Sequence, residues 1–209
     1  MMNNKRLPVF DDFARMQYVS EPAYSSAADT IAYTVCGWNE KASSYVSRVV
    51  LGNGDTISAN GKKEEMPKFS PDGKQLYFLS DVSGISQLHC CSLEGKNVKQ
   101  LTGLRHGGSF SSISPDGIKA ALVTWRGGME ALEDMDVLSE KTETEEPWIT
   151  EHRGYRKNGV HEFRKREIKL LYVLDTLSGE CRYLYGDDND LTEIAWMPDS
   201  ENILVLGSR

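Results

Sequence analysis

The chain has 209 residues, of which 39% are hydrophobic and 26% charged, a balance that belongs to folded chains and excludes wholly disordered or collagen-like classes. Its 24 Lys and Arg stand against 31 Asp and Glu, for a net charge of −7, so it lacks the basic face with which a dedicated nucleic-acid binder displaces counterions. No nucleic-acid partner is expected.

Met1 to Pro8 carries Lys5 and Arg6 but runs into Asp11, Asp12 and Arg15 instead of an apolar segment, so it does not read as a signal peptide. No stretch approaches the ~20 consecutive apolar residues that cross a bilayer, and no membrane association is expected. Cys36, Cys90, Cys91 and Cys181 are too sparse for a disulfide scaffold, which fits a reducing cytoplasm.

Along the chain one turn signature recurs. Pro22-Ala23-Tyr24-Ser25 is a degenerate copy; Phe69-Ser70-Pro71-Asp72-Gly73-Lys74, Ile113-Ser114-Pro115-Asp116-Gly117-Ile118 and Trp196-Met197-Pro198-Asp199-Ser200-Glu201 follow. From Ser25 to Ser70 is 45 residues, from Ser70 to Ser114 is 44, and from Ser114 to Met197 is 83. The last step is two periods, or one period lengthened by an insertion. A unit of ~40 to 45 residues is the length of a four-stranded propeller blade. Proline presets φ in such a turn, aspartate tolerates its geometry and glycine supplies a positive φ, so Ser200 in place of Gly weakens the last copy.

Each signature is followed by a strand: Ile31 to Val35, Leu76 to Leu79, Ala120 to Val123 and Ile203 to Leu206. These runs are apolar on both faces, as expected of strands sandwiched between two layers. Gln87 to Leu93 and Val98 to Leu101 form a hairpin about Gly95, and Lys169 to Asp175 with Cys181 to Leu184 repeat it about Gly179. Between the last two signatures, residues 126–167 read as an insertion with segregated charge: Glu130, Glu133, Asp134, Asp136, Glu140, Glu143, Glu145 and Glu146 precede Arg153, Arg156, Lys157, Arg164, Lys165 and Arg166. Met129, Leu132, Met135 and Leu138 fall near helical spacing, so this insertion is either a charged, solvated loop or opens with a short amphipathic helix over about 129–139.

The fold class read from this pattern is all-β: a partial β-propeller of four-stranded antiparallel blades, about three blades plus the first strand of a fourth, spanning 1–209. A β-sandwich has similar strand spacing but rarely repeats one turn motif at a fixed period. The chain ends one strand into a blade, and so few blades leave unpaired edges and apolar faces, which makes self-association an expectation.

The blades together with Trp148-Ile149-Thr150, Arg153-Gly154-Tyr155-Arg156-Lys157-Asn158-Gly159, Leu171-Tyr172-Val173-Leu174-Asp175, Ser178-Gly179-Glu180, Gly186-Asp187 and Ala195-Trp196-Met197-Pro198-Asp199 resemble the N-terminal propeller of the prolyl oligopeptidase family of serine peptidases, in its acylaminoacyl and dipeptidyl peptidase subgroup. The resemblance covers nearly the whole chain. It implies a propeller that caps an α/β-hydrolase domain carrying Ser, Asp and His. The 209 residues contain no Gly-x-Ser-x-Gly nucleophile elbow, so no catalytic residue is assigned and the chain alone is expected to be inactive.

Beside the reading of the insertion as a solvated loop stands the expectation that it reaches toward the hydrolase domain and helps select substrates, as long loops on a scaffold often carry function, with Arg153, Tyr155 and Arg156 as candidate substrate-binding residues: Arg grips a carboxylate or carbonyl in a fork, and Tyr offers an apolar face with a hydroxyl. Glu145-Glu146 invites comparison with the paired glutamates by which dipeptidyl peptidases hold a terminal ammonium, but its flanks do not match, and it reads as a solvated pair. His89-Cys90-Cys91 lacks the four spaced ligands of a structural metal site, and His161-Glu162 lacks the second His of a zinc-protease helix. Gly107-Gly108 and Gly127-Gly128 have no phosphate-loop Lys. No metal and no cofactor are expected. The expected partners are the hydrolase domain of the parent protein, or a partner that completes the blades, and short peptides. A non-enzymatic interaction scaffold and a truncated gene product are the alternatives.

Overall fold

A computed structural model describes residues 7, 9–127, 167–186 and 190–208. The chain divides into two compact units, Met1–Gln100 and Leu101–Arg209. Among the described residues every strand pair is antiparallel and joins neighbours in sequence.

The first unit opens with a single helical turn, α1 (Phe10–Phe13), where the Asp12 carboxylate accepts the Val9 N–H at 2.9 Å. Two four-stranded sheets follow. The first runs β1 (Gln17–Ser25), β2 (Thr30–Asn39), β3 (Ser44–Leu51), β4 (Thr56–Ile57), and the second β5 (Glu64–Phe69), β6 (Gln75–Ser80), β7 (Gln87–Ser92), β8 (Lys99–Gln100). Side chains alternate across a strand, so Ala32, Val49, Leu51 and Ile57 share one face of the first sheet. They meet Leu76, Phe78 and Cys91 of the second to form the core of this unit.

The second unit holds a sheet of β9 (Ser109–Ile113), β10 (Lys119–Gly127), β11 (Glu167–Asp175) and β12 (Cys181–Tyr185), then the hairpin β13 (Asp190–Trp196) and β14 (Ile203–Ser208). Ala121, Leu171 and Leu191 form its core, with Val123, Ile194, Trp196, Ile203 and Val205 packed against them. The 83-residue step therefore contains one unit, lengthened where β10 turns back into β11. The fourth repeat supplies the strand before its turn signature as well as the strand after it.

Each signature turn joins the first two strands of its sheet. Ser70 Oγ donates to Asp72 Oδ1 at 2.6 Å and accepts the Gln75 N–H, while the same carboxylate oxygen accepts the Lys74 N–H. Ser114, Asp116, Ile118 and Lys119 repeat this network. Gly73 and Gly117 supply the left-handed residue at φ 71° and 79°. In the last copy Ser200 takes φ 59° itself, and its hydroxyl accepts the Asp116 N–H at 3.0 Å, so the hydroxyl that glycine lacks tethers one turn to the other.

The expectation of strands buried on both faces holds for β6 and for β10, apart from the end of β10 at Trp125. In β2 and β14 it is modified, because these strands bury alternate residues only. Ala32 and Thr34 face inward while Ile31 is exposed, and Leu204 and Leu206 are 64% and 58% exposed.

Candidate functional site

The sequence places the candidate substrate contacts Arg153, Tyr155 and Arg156 in the insertion. All three lie outside the described residues, as do Glu145-Glu146 and the expected helix over about 129–139. The described residues do fix where that segment starts and finishes. β10 and β11 pair without a break from Lys119↔Asp175 to Gly127↔Glu167, so residues 128–166 leave and re-enter at the end of a nine-residue ladder.

Around this root, Trp125 pairs across the ladder with Lys169 and is stacked on His106, with ring centroids 6.3 Å apart. Lys169 Nζ donates to the Leu191 carbonyl at 2.9 Å. One residue inward, Thr124 Oγ1 donates to the Gly107 carbonyl. That bond fixes the Gly107-Gly108 bend beside the strand, where a Cβ on Gly108 would lie 3.0 Å from the Val123 carbonyl oxygen. Gly108 thus serves close backbone approach, while Gly107 takes the left-handed φ of 67°. Trp125, 41% exposed, presents an aromatic surface beside the insertion.

A second polar constellation, in the first unit, was not foreseen from the sequence. Glu64 opens β5 and is fully buried. Its Oε1 accepts the Ser58 hydroxyl at 2.9 Å, the Ala59 N–H at 2.7 Å and the Gly61 N–H at 3.1 Å. Its Oε2 faces Arg48 Nε at 3.7 Å and, among the described residues, accepts no hydrogen bond. The backbone N–H of Glu64 donates to Ser47 Oγ. Arg48 Nη1 also reaches the carbonyls of Ser47 and Lys62, and Asp81 Oδ1 accepts the N–H groups of Lys62 and Lys63. The arrangement folds residues 58–63 around one carboxylate between the two sheets. A buried ion is tolerated only with such compensation.

Glu21 plays a related part. It sits before Pro22 at φ 54°, as Met66 sits before Pro67 at φ 56°, each at a break in its first-strand register. Glu21 Oε2 accepts both Thr34 Oγ1 and the Met66 N–H at 2.7 Å, linking the two bulges. Burial and the neighbouring Glu21 carboxylate hold the Glu65 carboxyl above its ordinary range.

The His89-Cys90-Cys91 run lies in β7. His89 is buried, stacked on Phe78 at 5.8 Å, with Nδ1 3.0 Å from the Gln87 carbonyl oxygen. Burial pulls its imidazole below the usual range in spite of that bond and of Glu64 nearby, which favours the neutral ring. Cys91 is buried and Cys90 half-buried, and burial pushes the Cys91 thiol up to about 12. These are groups of an apolar interior. Among the described residues no group of three or more His, Cys, Asp or Glu is arranged to hold a metal ion, and no helix is long and apolar enough to cross a membrane.

No family model matches the chain. It is 30% identical over 205 residues to the uncharacterized peptidase YuxL of Bacillus subtilis, which covers 94% of this chain and 30% of that protein. Among solved structures, the acylaminoacyl peptidase of Pyrococcus horikoshii superposes with a TM-score of 0.66 at 18% identity, over 92% of this chain and 28% of that one. The β-propeller domain of the Trilobed protease from Pyrococcus furiosus gives 0.56 at 19% identity, over 92% and 49%. The chain thus spans less than a third of the first two proteins and about half of that propeller domain. Its sheets are propeller blades, similar in fold to those of acylaminoacyl peptidases and in sequence to a bacterial peptidase, as the resemblance to the prolyl oligopeptidase family implies.

Proposed function

We propose that these residues are the non-catalytic propeller portion of a serine peptidase, which gates and selects short peptides for a hydrolase domain. The observation that carries the reading is the position of residues 128–166. Equivalent connections in the other sheets are short, from Asn39 to Ser44 and from Ser80 to Gln87, whereas this one departs from the end of a fully paired hairpin beside the exposed Trp125. A long connection between two paired strands is a common place for a recognition surface. The similarity to peptidases supports a hydrolase domain as its partner. The apolar residues exposed on the first sheet and on β14 support further blades, from the parent or from another chain, as their cover.

In this reading Arg153 and Arg156 hold a peptide carbonyl or carboxylate and Tyr155 packs on its side chains. The test replaces Arg153 and Arg156 with Ala in the full-length peptidase and compares kcat/KM for acylated peptides of increasing length with that for a small activated ester. Loss of about tenfold on the peptides, the factor of one charge-assisted hydrogen bond, with the ester unaffected, is expected. An unchanged ratio across the series overturns the assignment.

A further inference from the structure

The first unit contains two Asn-Gly dipeptides, Asn53-Gly54 and Asn60-Gly61, in opposite environments. Asn-Gly is the sequence most open to spontaneous deamidation, because glycine leaves the following amide nitrogen unshielded by a Cβ. In that reaction the Gly nitrogen gives its proton to solvent and bonds to the Asn side-chain carbonyl carbon. The bond from that carbon to Nδ2 breaks, and ammonia leaves with a proton from water. Water then opens the resulting cyclic imide at either carbonyl, giving aspartate or isoaspartate.

The turn at Asn53 assists these steps. Residues 52–56 are exposed, and a Cβ on Gly54 would meet nothing within 4 Å. Asn53 Oδ1 accepts the Asp55 N–H at 3.0 Å, a donor aimed at the oxygen on which negative charge develops. Nδ2 donates to Asp55 Oδ2 at 2.7 Å, which places a carboxylate beside the departing nitrogen. One bond opposes the reaction, since the Gly54 N–H donates to the Leu51 carbonyl at 2.8 Å. At the second dipeptide the attacking group is blocked. Gly61 is buried, its N–H donates to the Glu64 carboxylate, and a Cβ there would collide with Ser80 Oγ and Asp81 Oδ1. A nitrogen held against a buried anion is a poor site to remove a proton from.

We propose that Asn53 is a deamidation site of the folded chain and that Glu64 silences Asn60. Conversion would add a negative charge, and the isoaspartate form would put an extra methylene into the backbone at the turn. That would displace the Leu51 N–H from the Asp55 carbonyl, now 2.9 Å away, and loosen β4, whose Ile57 belongs to the core.

The test incubates the 209-residue chain at mildly alkaline pH and 37 °C, folded and in urea, and follows the tryptic peptide from Val49 to Lys62, which holds both asparagines, by tandem mass spectrometry with isoaspartate detection, so that fragment ions assign each conversion to Asn53 or Asn60. In the folded chain Asn53 is expected to exchange –NH2 for –OH about tenfold faster than Asn60, the factor of one hydrogen bond to a charged group. In urea the two rates are expected to converge. Glu64→Gln, which removes the anion but keeps an acceptor, should speed Asn60 and leave Asn53 unchanged. Equal rates in the folded chain, a faster Asn60, or an unmodified Asn53 over a period in which the urea sample converts would each overturn the proposal.

Discussion

Removing the Glu64 carboxylate tests how the first two blades are held together. Glu64→Ala strands the Gly61 N–H in a buried position and the Ala59 N–H in a half-buried one, and leaves Arg48 facing an apolar methyl. A buried donor without a partner costs ~1 to 3 kcal/mol, so the two amides together account for about 3 kcal/mol. Arg48 adds little, because its side chain is 35% exposed and water replaces the lost partner. The total, about 3 kcal/mol, sits at the low end of the range for breaking a buried ion pair. Glu64→Gln keeps an acceptor for the two amides and should cost about 1 kcal/mol. Urea unfolding gives the free energies, and amide hydrogen exchange at Ala59 and Gly61 localises the loss. If Glu64→Ala stayed within about 1 kcal/mol of the parent with both amides equally protected, the idea that this carboxylate organises residues 58–63 would be wrong.

Three further outcomes follow from the geometry. Gly73→Ala and Gly179→Ala both force a side chain to a φ above 70°, a cost of ~1 to 2 kcal/mol, but the new Cβ at 73 would also lie 2.8 Å from Ala28 N whereas that at 179 meets nothing. Thermal denaturation should therefore rank the first variant clearly below the second. The hydroxyls of Ser70 and Ser114 and nearby backbone N–H groups hold the Asp72 and Asp116 carboxyls below their ordinary range. A carboxyl depressed in the folded state contributes stability above its unfolded value and loses it as pH falls through the folded value. Ser70→Ala should raise the Asp72 midpoint in an NMR titration, and an unmoved midpoint would contradict the assigned cause. Cys91, buried with its thiol near 12, should resist alkylation at pH 8 until the chain unfolds, as mass-spectrometric labelling with and without urea can show.

The blade repeat was legible because its information is local. Serine, proline, aspartate and glycine in four consecutive residues specify a turn, and the network of Ser70, Asp72, Lys74 and Gln75 is made within six. The hairpins about Gly95 and Gly179 are readable for the same reason, each with its glycine at positive φ. Glu64 was not legible. In Lys62-Lys63-Glu64-Glu65 it looks like one more surface charge, and its burial depends on Arg48 and Ser47 from the preceding sheet. Ser200 shows the same limit: as an isolated turn residue it is a poor glycine, and its hydroxyl gains a purpose only beside Asp116, 84 positions earlier. The half-exposed faces of β2 and β14 were hidden because an apolar run states what a strand tolerates, not which of its faces has a neighbour.

The pairing of Gly127 with Glu167 has a consequence for how such proteins diversify. Because the ladder already brings the two ends together, the sheet bears the entropy of closure, and each doubling of the intervening length adds only ~0.6 kcal/mol. The junction is in effect a docking port on a standing frame. Segments of differing length and charge can be exchanged there without renegotiating the core at Ala121 and Leu171, so this one connection can change from one descendant to the next while the blades themselves stay the same.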